Sequence, residues 1–191
     1  MEAFKILYLK YYQKVYITCF LILKNSALAE EATQEAFLKA YMNIHTLKDP
    51  EKFGAWVAAI ATKHAINLYN RNKKVLVFDD YELRKQYLKT NKMYFQENDP
   101  CNKYLAKETA QEIREAIYCL SPPLSQMIIL KYYWELTDPE IAKRLKLPLG
   151  TVKSSLYRAR KILGKKLTRS KKDNKLIKGE PNAEEGVRQY N

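Results

Sequence analysis

Residues 149–163, LGTVKSSLYRARKIL, place Ser154, Tyr157, Arg158 and Lys161 on one arc of a helical wheel, with Lys153 flanking. Val152, Leu156, Ala159 and Leu163 take the opposite arc. One arc is fit to pack. The other offers hydroxyls and cations of the types that reach base edges and phosphate oxygens. The preceding residues are built to hold such a helix. Thr137 followed by Glu140 is a capping box with Pro139 in its first turn, and Ile141, Ala142 and Leu145 make an apolar side. Ala142 leaves room for a closely crossing helix, Lys146-Leu147-Pro148 breaks the first helix, and Gly150-Thr151 opens the second. In order, these features predict a helix-turn-helix.

Charge supports a polyanionic partner. The 191 residues carry a formal charge of +13, and residues 138–172 hold twelve Lys/Arg against two acids, so about +10 of it falls in that segment. A solvated surface would spread its cations more evenly. The cysteines, Cys19, Cys101 and Cys119, are scattered without a CxxC pair or clustered His, which supports neither a metal site nor a disulfide framework. Buried apolar thiols are the simpler expectation. The apolar run Tyr16–Leu23 is too short for a bilayer. Glu2 and the missing small-residue cleavage site speak against a signal peptide, so a cytoplasmic protein without membrane insertion is expected.

The elements that must position these groups all read as helices, since glycines number five and no alternating strand pattern persists. Phe4–Leu23 is the first. Asn25-Ser26 caps a second over 27–44, with Ala32, Ala36, Phe37 and Ala40 on one stripe. Asp49-Pro50 leads into a third over 53–74, where Trp56, Ile60, Ala61, His64 and Leu68 share a side. Residues 75–99 lose the pattern and read as a linker with at most a transient turn. Asp99-Pro100 begins a helix to about Leu120, Ser121-Pro122 another through Trp134, and the tail from about Ser170 reads as disordered. The expectation is an all-α chain of two small helical domains joined by a flexible linker: 1–75, linker 76–99, 100–168, and a disordered tail 169–191.

Three blocks, ALAEEATQEAFLKAYMNI (27–44), FGAWVAAIATKHAINLYNRNKK (53–74) and LSPPLSQMIILKYYWELTDPEIAKRLKLPLGTVKSSLYRARKIL (120–163), resemble bacterial sigma-70 family RNA polymerase sigma factors. The short layout is that of the extracytoplasmic-function group. The resemblance implies a region 2-like domain, which docks on core polymerase and reads and opens the −10 element, and a region 4-like helix-turn-helix for the −35 element. It puts Glu31, Gln34 and Glu35 against the clamp helices of the β′ subunit. The polar, mostly acidic face of an otherwise basic protein suits a basic partner.

In the second block, Asn67 matches a family position that contacts the −10 element, while Lys63, Arg71, Lys73 and Lys74 are cations able to hold phosphates. Trp56 lies on the apolar stripe, which favours core packing over base stacking, and His64 reads as packing. Opening must be driven by binding, because no GxxxxGK[ST] loop exists to use a nucleotide. In the third block the matching positions put Lys153, Ser154, Tyr157 and Arg158 on bases or adjacent phosphates, with contact to the β flap as well. An anti-sigma factor is a further implied partner, and no cofactor, metal or catalytic residue is implied.

Four residues depart from the family pattern. Lys146 and Glu135 stand where Gly is frequent, Ser155 where Arg is common, and Glu31 where Asp is frequent. A left-handed Lys146 costs about 1 kcal/mol, and Ser155 in place of Arg removes a phosphate contact. A stand-alone helix-turn-helix regulator is the alternative. It explains the C-terminal half and leaves 27–74 without a purpose, and no coiled-coil repeat offers it a dimer seam. An enzyme acting on nucleic acid lacks clustered carboxylates, a Cys/His pair and a phosphate-cradling loop.

Overall fold

The computed structural model describes residues 2–76 and 107–177, with side chains for 2–72 and 112–168. Residues 77–99 of the expected linker, the Asp99-Pro100 start and Cys101 lie outside the described residues. Regular structure among the described residues is entirely helical. The N-terminal half comprises α1 (Glu2–Leu23), α2 (Ser26–Met42) and α3 (Phe53–Leu76). The C-terminal half comprises α4 (Lys107–Tyr118), α5 (Pro122–Ile128), α6 (Asp138–Leu145) and α7 (Leu149–Ile177). α7 therefore carries the chain past 169, where a disordered tail is expected from sequence; residues 178–191 lie outside the description.

The starts of the helices follow their capping chemistry. Asn25 accepts from the Leu28 N–H at 3.0 Å and caps α2. Asp49 accepts from the Glu51 N–H at 3.0 Å, but the turn it caps is a short 3₁₀ helix, Pro50–Lys52, from which α3 continues. Ser121 caps α5 through its carbonyl, which accepts from Leu124 and Ser125 at 2.9 Å, and not through its hydroxyl. α5 ends in a π turn, Ile129–Tyr133, in which the Trp134 N–H reaches back five residues to the Ile129 carbonyl at 3.1 Å.

The run Tyr16–Leu23 now has its explanation. Every residue from Val15 to Leu23 is buried, so this end of α1 has no solvent side. α2 and α3 cover it from their own half, while α4 and α5 pack on it from the other. α3 likewise meets α5 and α6. Buried residues of the two halves form one continuous hydrophobic cluster, from Val15 and Phe53 through Trp134 to Leu156. Two helical units are expected from the sequence; that they share a core is not. Within it, burial pushes the Cys19 thiol up to about 12, so it stays protonated as a small apolar side chain. Cys119 is exposed, against the expectation of burial.

Polar groups also cross between the halves. The Thr18 hydroxyl donates to the Lys14 carbonyl at 2.9 Å and accepts from Trp134 Nε1 at 2.8 Å. Lys14 Nζ lies 4.4 Å from the Trp134 ring centroid and 5.0 Å from that of Tyr133. Tyr11 stacks on Trp134 at 6.2 Å, and Lys24 Nζ donates to the Leu120 carbonyl at 3.1 Å.

Three non-glycine residues hold the left-handed conformation: Lys24 (φ 59°), Glu135 (φ 57°) and Lys146 (φ 57°). Each follows the end of a helical segment, where a left-handed residue lets the chain turn away while its N–H still finds a carbonyl. Lys24 bonds the Phe20 carbonyl and Lys146 the Ala142 carbonyl. The family's glycine at 146 is therefore explained by geometry, and lysine bears the steric cost at the same φ. Lys146→Gly is expected to raise unfolding free energy by about 1 kcal/mol in urea titration. The same change at Lys161, inside exposed helix, is expected to lower it by about as much.

Candidate nucleic-acid interface

The helix-turn-helix is held by its cap and by its turn. Thr137 Oγ1 accepts from the Glu140 N–H at 3.4 Å, and Glu140 Oε2 accepts from the Thr137 N–H at 2.8 Å and its hydroxyl at 2.7 Å. Those donors hold the Glu140 carboxyl below its ordinary range. Lys131 and Asp138 pair at 2.8 Å, tying the π turn to the first residue of α6. The turn closes through Leu147 N–H to the Ala142 carbonyl at 2.9 Å, and α7 begins with Thr151 N–H on the Pro148 carbonyl at 3.0 Å.

α7 divides as its wheel requires. Val152, Leu156 and Ala159 are buried against the core, while Lys153, Ser154, Tyr157, Arg158 and Lys161 are all exposed. Tyr157 is 63% exposed. Ser155 is only 8% exposed, and Arg158 Nη2 donates to its hydroxyl at 3.4 Å. In this structure Ser155 thus steadies Arg158 from the packed side. Arg160, absent from the candidates read from sequence, is also exposed, and its guanidinium reaches the Tyr132 hydroxyl at 3.5 Å. Its place beside Arg158 in the YRARK run was the signal for it.

α3 gathers a second group. Trp56, Lys63, Asn67, Arg71 and Lys74 follow one another at spacings of seven, four, four and three residues, which makes one stripe of helix surface. Lys63, Asn67 and Arg71 are exposed. Trp56 is half-buried, its ring 5.9 Å from Phe53 and packed on the core cluster, so the indole lies at the inner edge of the stripe. Lys73 and Lys74 are on the helix, but their side chains lie outside the description. Lys73 falls off the stripe by helical register.

The third group is on α2. Glu31 and Gln34 are exposed and Glu35 half-exposed, opposite the buried Ala32, Ala36, Phe37 and Ala40. Glu30 organises the approach, accepting from the Tyr12 hydroxyl at 2.6 Å and from Gln34 Nε2 at 3.1 Å. Beyond the acids the same helix exposes Leu38 (53%), Tyr41 (48%) and Met42 (65%). Those apolar residues were not among the candidates; the signal for them is the stretch LKAYM, where the alanine stripe continues while large apolar side chains fall outside it.

His64 joins the second and third groups. Its Nδ1 lies 3.1 Å from Lys39 Nζ, so it bridges α3 to α2 in addition to packing. Burial first, and the Lys39 ammonium second, hold its pKa below the ordinary 6.5, with Glu35 and Glu31 pulling the other way. A base whose folded pKa is depressed contributes stability above its unfolded value and loses it as pH falls through the folded one. NMR titration is expected to place the His64 midpoint below 6.5. Lys39→Ala should raise the midpoint without restoring it fully, because burial is the larger cause.

The helices that carry these groups fall within stretches matched by known protein families. Residues 7–75 match the family model Sigma-70 region 2, and residues 110–163 match Sigma-70, region 4. The ECF RNA polymerase sigma factor SigW of Bacillus subtilis is 34% identical over 163 residues, 82% of this chain and 84% of that protein. The ECF RNA polymerase sigma-E factor of Escherichia coli K12 is 26% identical over 167 residues, 87% of each chain. Among solved structures, the sigma factor RpoE of Bartonella quintana, crystallised with the anti-sigma factor NepR, shares the fold at a TM-score of 0.59 and 20% identity, covering 88% of this chain and 98% of that one. The chain belongs to the sigma-70 family of RNA polymerase sigma factors, in its extracytoplasmic-function group.

Proposed function

We propose that this protein directs promoter-specific transcription initiation by core RNA polymerase, with the three surface groups as its working parts. The observation that carries the reading is their combination. A recognition helix bearing Lys153, Ser154, Tyr157, Arg158 and Lys161, an α3 stripe bearing Lys63, Asn67 and Arg71, and an acidic α2 face are all open to solvent on one chain. A stand-alone regulator needs only the first.

In this reading α7 enters the major groove of the −35 element. Arg158 is shaped for a bidentate guanine contact, Ser154 and Tyr157 for neighbouring edges, and Lys153 and Lys161 for phosphates. α3 holds the −10 element, where Asn67 takes a base and Lys63, Arg71 and Lys74, which share its stripe, take the backbone. Each base drawn from the stack costs a few kcal/mol, and capture of the extruded strand offsets that cost without nucleotide hydrolysis. The protein is accordingly a binding subunit and not an enzyme. α2 docks on the β′ clamp helices. Glu31, Gln34 and Glu35 set register and Leu38 and Met42 supply apolar area. The region 4-like half also meets the β flap. A cytoplasmic location follows from these partners, and an anti-sigma factor is proposed as a further one; no described helix is long and apolar enough to cross a membrane.

Purified protein plus core polymerase is expected to start transcription at a cognate promoter where neither does alone; tight, specific binding to duplex promoter without core would favour the stand-alone regulator. Arg158→Ala is expected to weaken −35-dependent initiation by about 1–3 kcal/mol and to relax selectivity at one base pair. Equal loss on every promoter would reassign Arg158 to phosphate. Glu31→Lys and Leu38→Asp are each expected to weaken pull-down of core polymerase, the first in a salt-dependent way and the second largely independent of salt.

A further inference from the structure

α7 runs on after its packing and its family pattern have ended. It is 29 residues long, Leu149–Ile177, whereas the match to region 4 stops at residue 163. The buried arc of Val152, Leu156 and Ala159 ends at the half-buried Leu163, and one turn further on Lys166 is exposed. Gly164, Lys165 and Thr168 are exposed as well. At 1.5 Å per residue, the stretch after 163 carries the helix about 21 Å beyond the helix-turn-helix.

The outward arc does not end with the packing. Ser154, Arg158 and Lys161 are followed in register by the exposed Lys165, and the sequence puts Arg169, Lys172 and Lys175 at the next positions of the same stripe. Residues 164–177 contain Lys165, Lys166, Arg169, Lys171, Lys172 and Lys175 against the single acid Asp173. That composition does not suit a helix made only to stand in water. Acid–base pairs one turn apart support a solvated helix, and like charges at that spacing oppose it by about 0.2–0.5 kcal/mol per pair. Here 161/165, 165/169 and 171/175 all pair cation with cation. The helix dipole favours cations in the last turn, which covers Lys175 and not the others. A membrane or a partner helix would need an apolar face, and Leu167, Leu176 and Ile177 share none by helical register. A polyanion relieves the repulsion along the whole stripe.

We propose that residues 164–177 of α7 are a further DNA contact, independent of sequence, whose cation stripe engages the phosphates of the duplex flanking the −35 element. The inference rests on the sigma-factor reading, since that reading puts α7 in the groove. A recognition helix reads bases with its N-terminal residues, which here are Lys153, Ser154, Tyr157 and Arg158. The major groove is about 12 Å wide, and a helix about 43 Å long outlasts it. The wall that such a helix passes is phosphate backbone. From Lys165 to Lys175 the stripe is about 15 Å long, the axial rise of about four base pairs. Each phosphate neutralised releases condensed counterions, so the contact contributes affinity and salt dependence without choosing a base.

The test uses the full chain with core polymerase and two dye-labelled duplexes. One carries the −35 element with about ten base pairs on either side, and the other is trimmed to the element. The native protein is expected to bind the long duplex more tightly and with the steeper salt dependence. Lys165→Gln combined with Lys172→Gln removes two charges at little change in helix propensity. This double variant should bind the long duplex about tenfold more weakly at 0.1 M salt, with a log–log salt slope reduced by about 2, and the trimmed duplex within about twofold. Changing the flanking sequence should leave these differences in place. Arginine at both positions should restore native binding. Lys5→Gln with Lys48→Gln removes the same charge from exposed positions of the other half and should bind both duplexes as the native protein does. Equal weakening of both duplexes by the 165/172 glutamine pair would overturn the contact, as would the same loss from the 5/48 pair. Weaker pull-down of core polymerase with the long-duplex advantage intact would also overturn it, and would reassign the stripe to an acidic protein surface. Failure of the native protein to bind either duplex, or to initiate with core, would instead remove the sigma-factor reading and this contact with it.

Discussion

An indole N–H taken out of water must find an acceptor, and for Trp134 that acceptor is the hydroxyl of Thr18, 116 residues away in the chain. Much of the architecture follows from meeting that requirement. Thr18 can accept only because its own proton goes to the Lys14 carbonyl one turn back. It can sit there only because α1 is buried all round from Val15 onward. A helix with no solvent side needs neighbours on every side, and the N-terminal half alone supplies two. The second set of helices completes the enclosure, and the continuous core is the result.

That core leaves the binding groups at its periphery. α7 buries Val152, Leu156 and Ala159 and turns its cations out; α3 buries Val57, Ala61 and Ala65 and turns out Lys63, Asn67 and Arg71; α2 buries its alanines and turns out its acids. The small residues are what allow this. Alanine at 32, 36 and 40, and again at 58, 61 and 65, lets backbones approach closely, so positions of the polar stripes are set by helix packing and not by flexible side chains.

Local features were legible in the sequence because they are encoded locally. The Thr137–Glu140 box, the Asn25 cap and the split wheel of α7 each lie within a few residues, and periodicity reads them directly. Lys146 was flagged by a family glycine, and its φ of 57° supplies the reason. What could not be read is long-range. Nothing near Trp134 names Thr18 as its partner, and the run Tyr16–Leu23 reads equally as a packed helix against its own bundle or as one shared by two. Cys119 reads as a small apolar residue, yet it falls at the irregular end of α4 and is exposed. Leu38 and Met42 lie one step off the alanine stripe, where composition does not say whether a partner or the core will cover them.

The π turn at Ile129–Tyr133 gives this arrangement a discrete character. A π turn amounts to one extra residue accommodated in an α-helix. Here it sits immediately before the indole that joins the halves. Loss of a single residue from 129–133 would restore ordinary helical register and rotate position 134 by about 100°, away from Thr18. Engagement of the two halves is therefore sensitive to chain length at this point as well as to side-chain identity. An insertion or deletion can switch the contact off in one step, with the residues of the recognition helix left untouched.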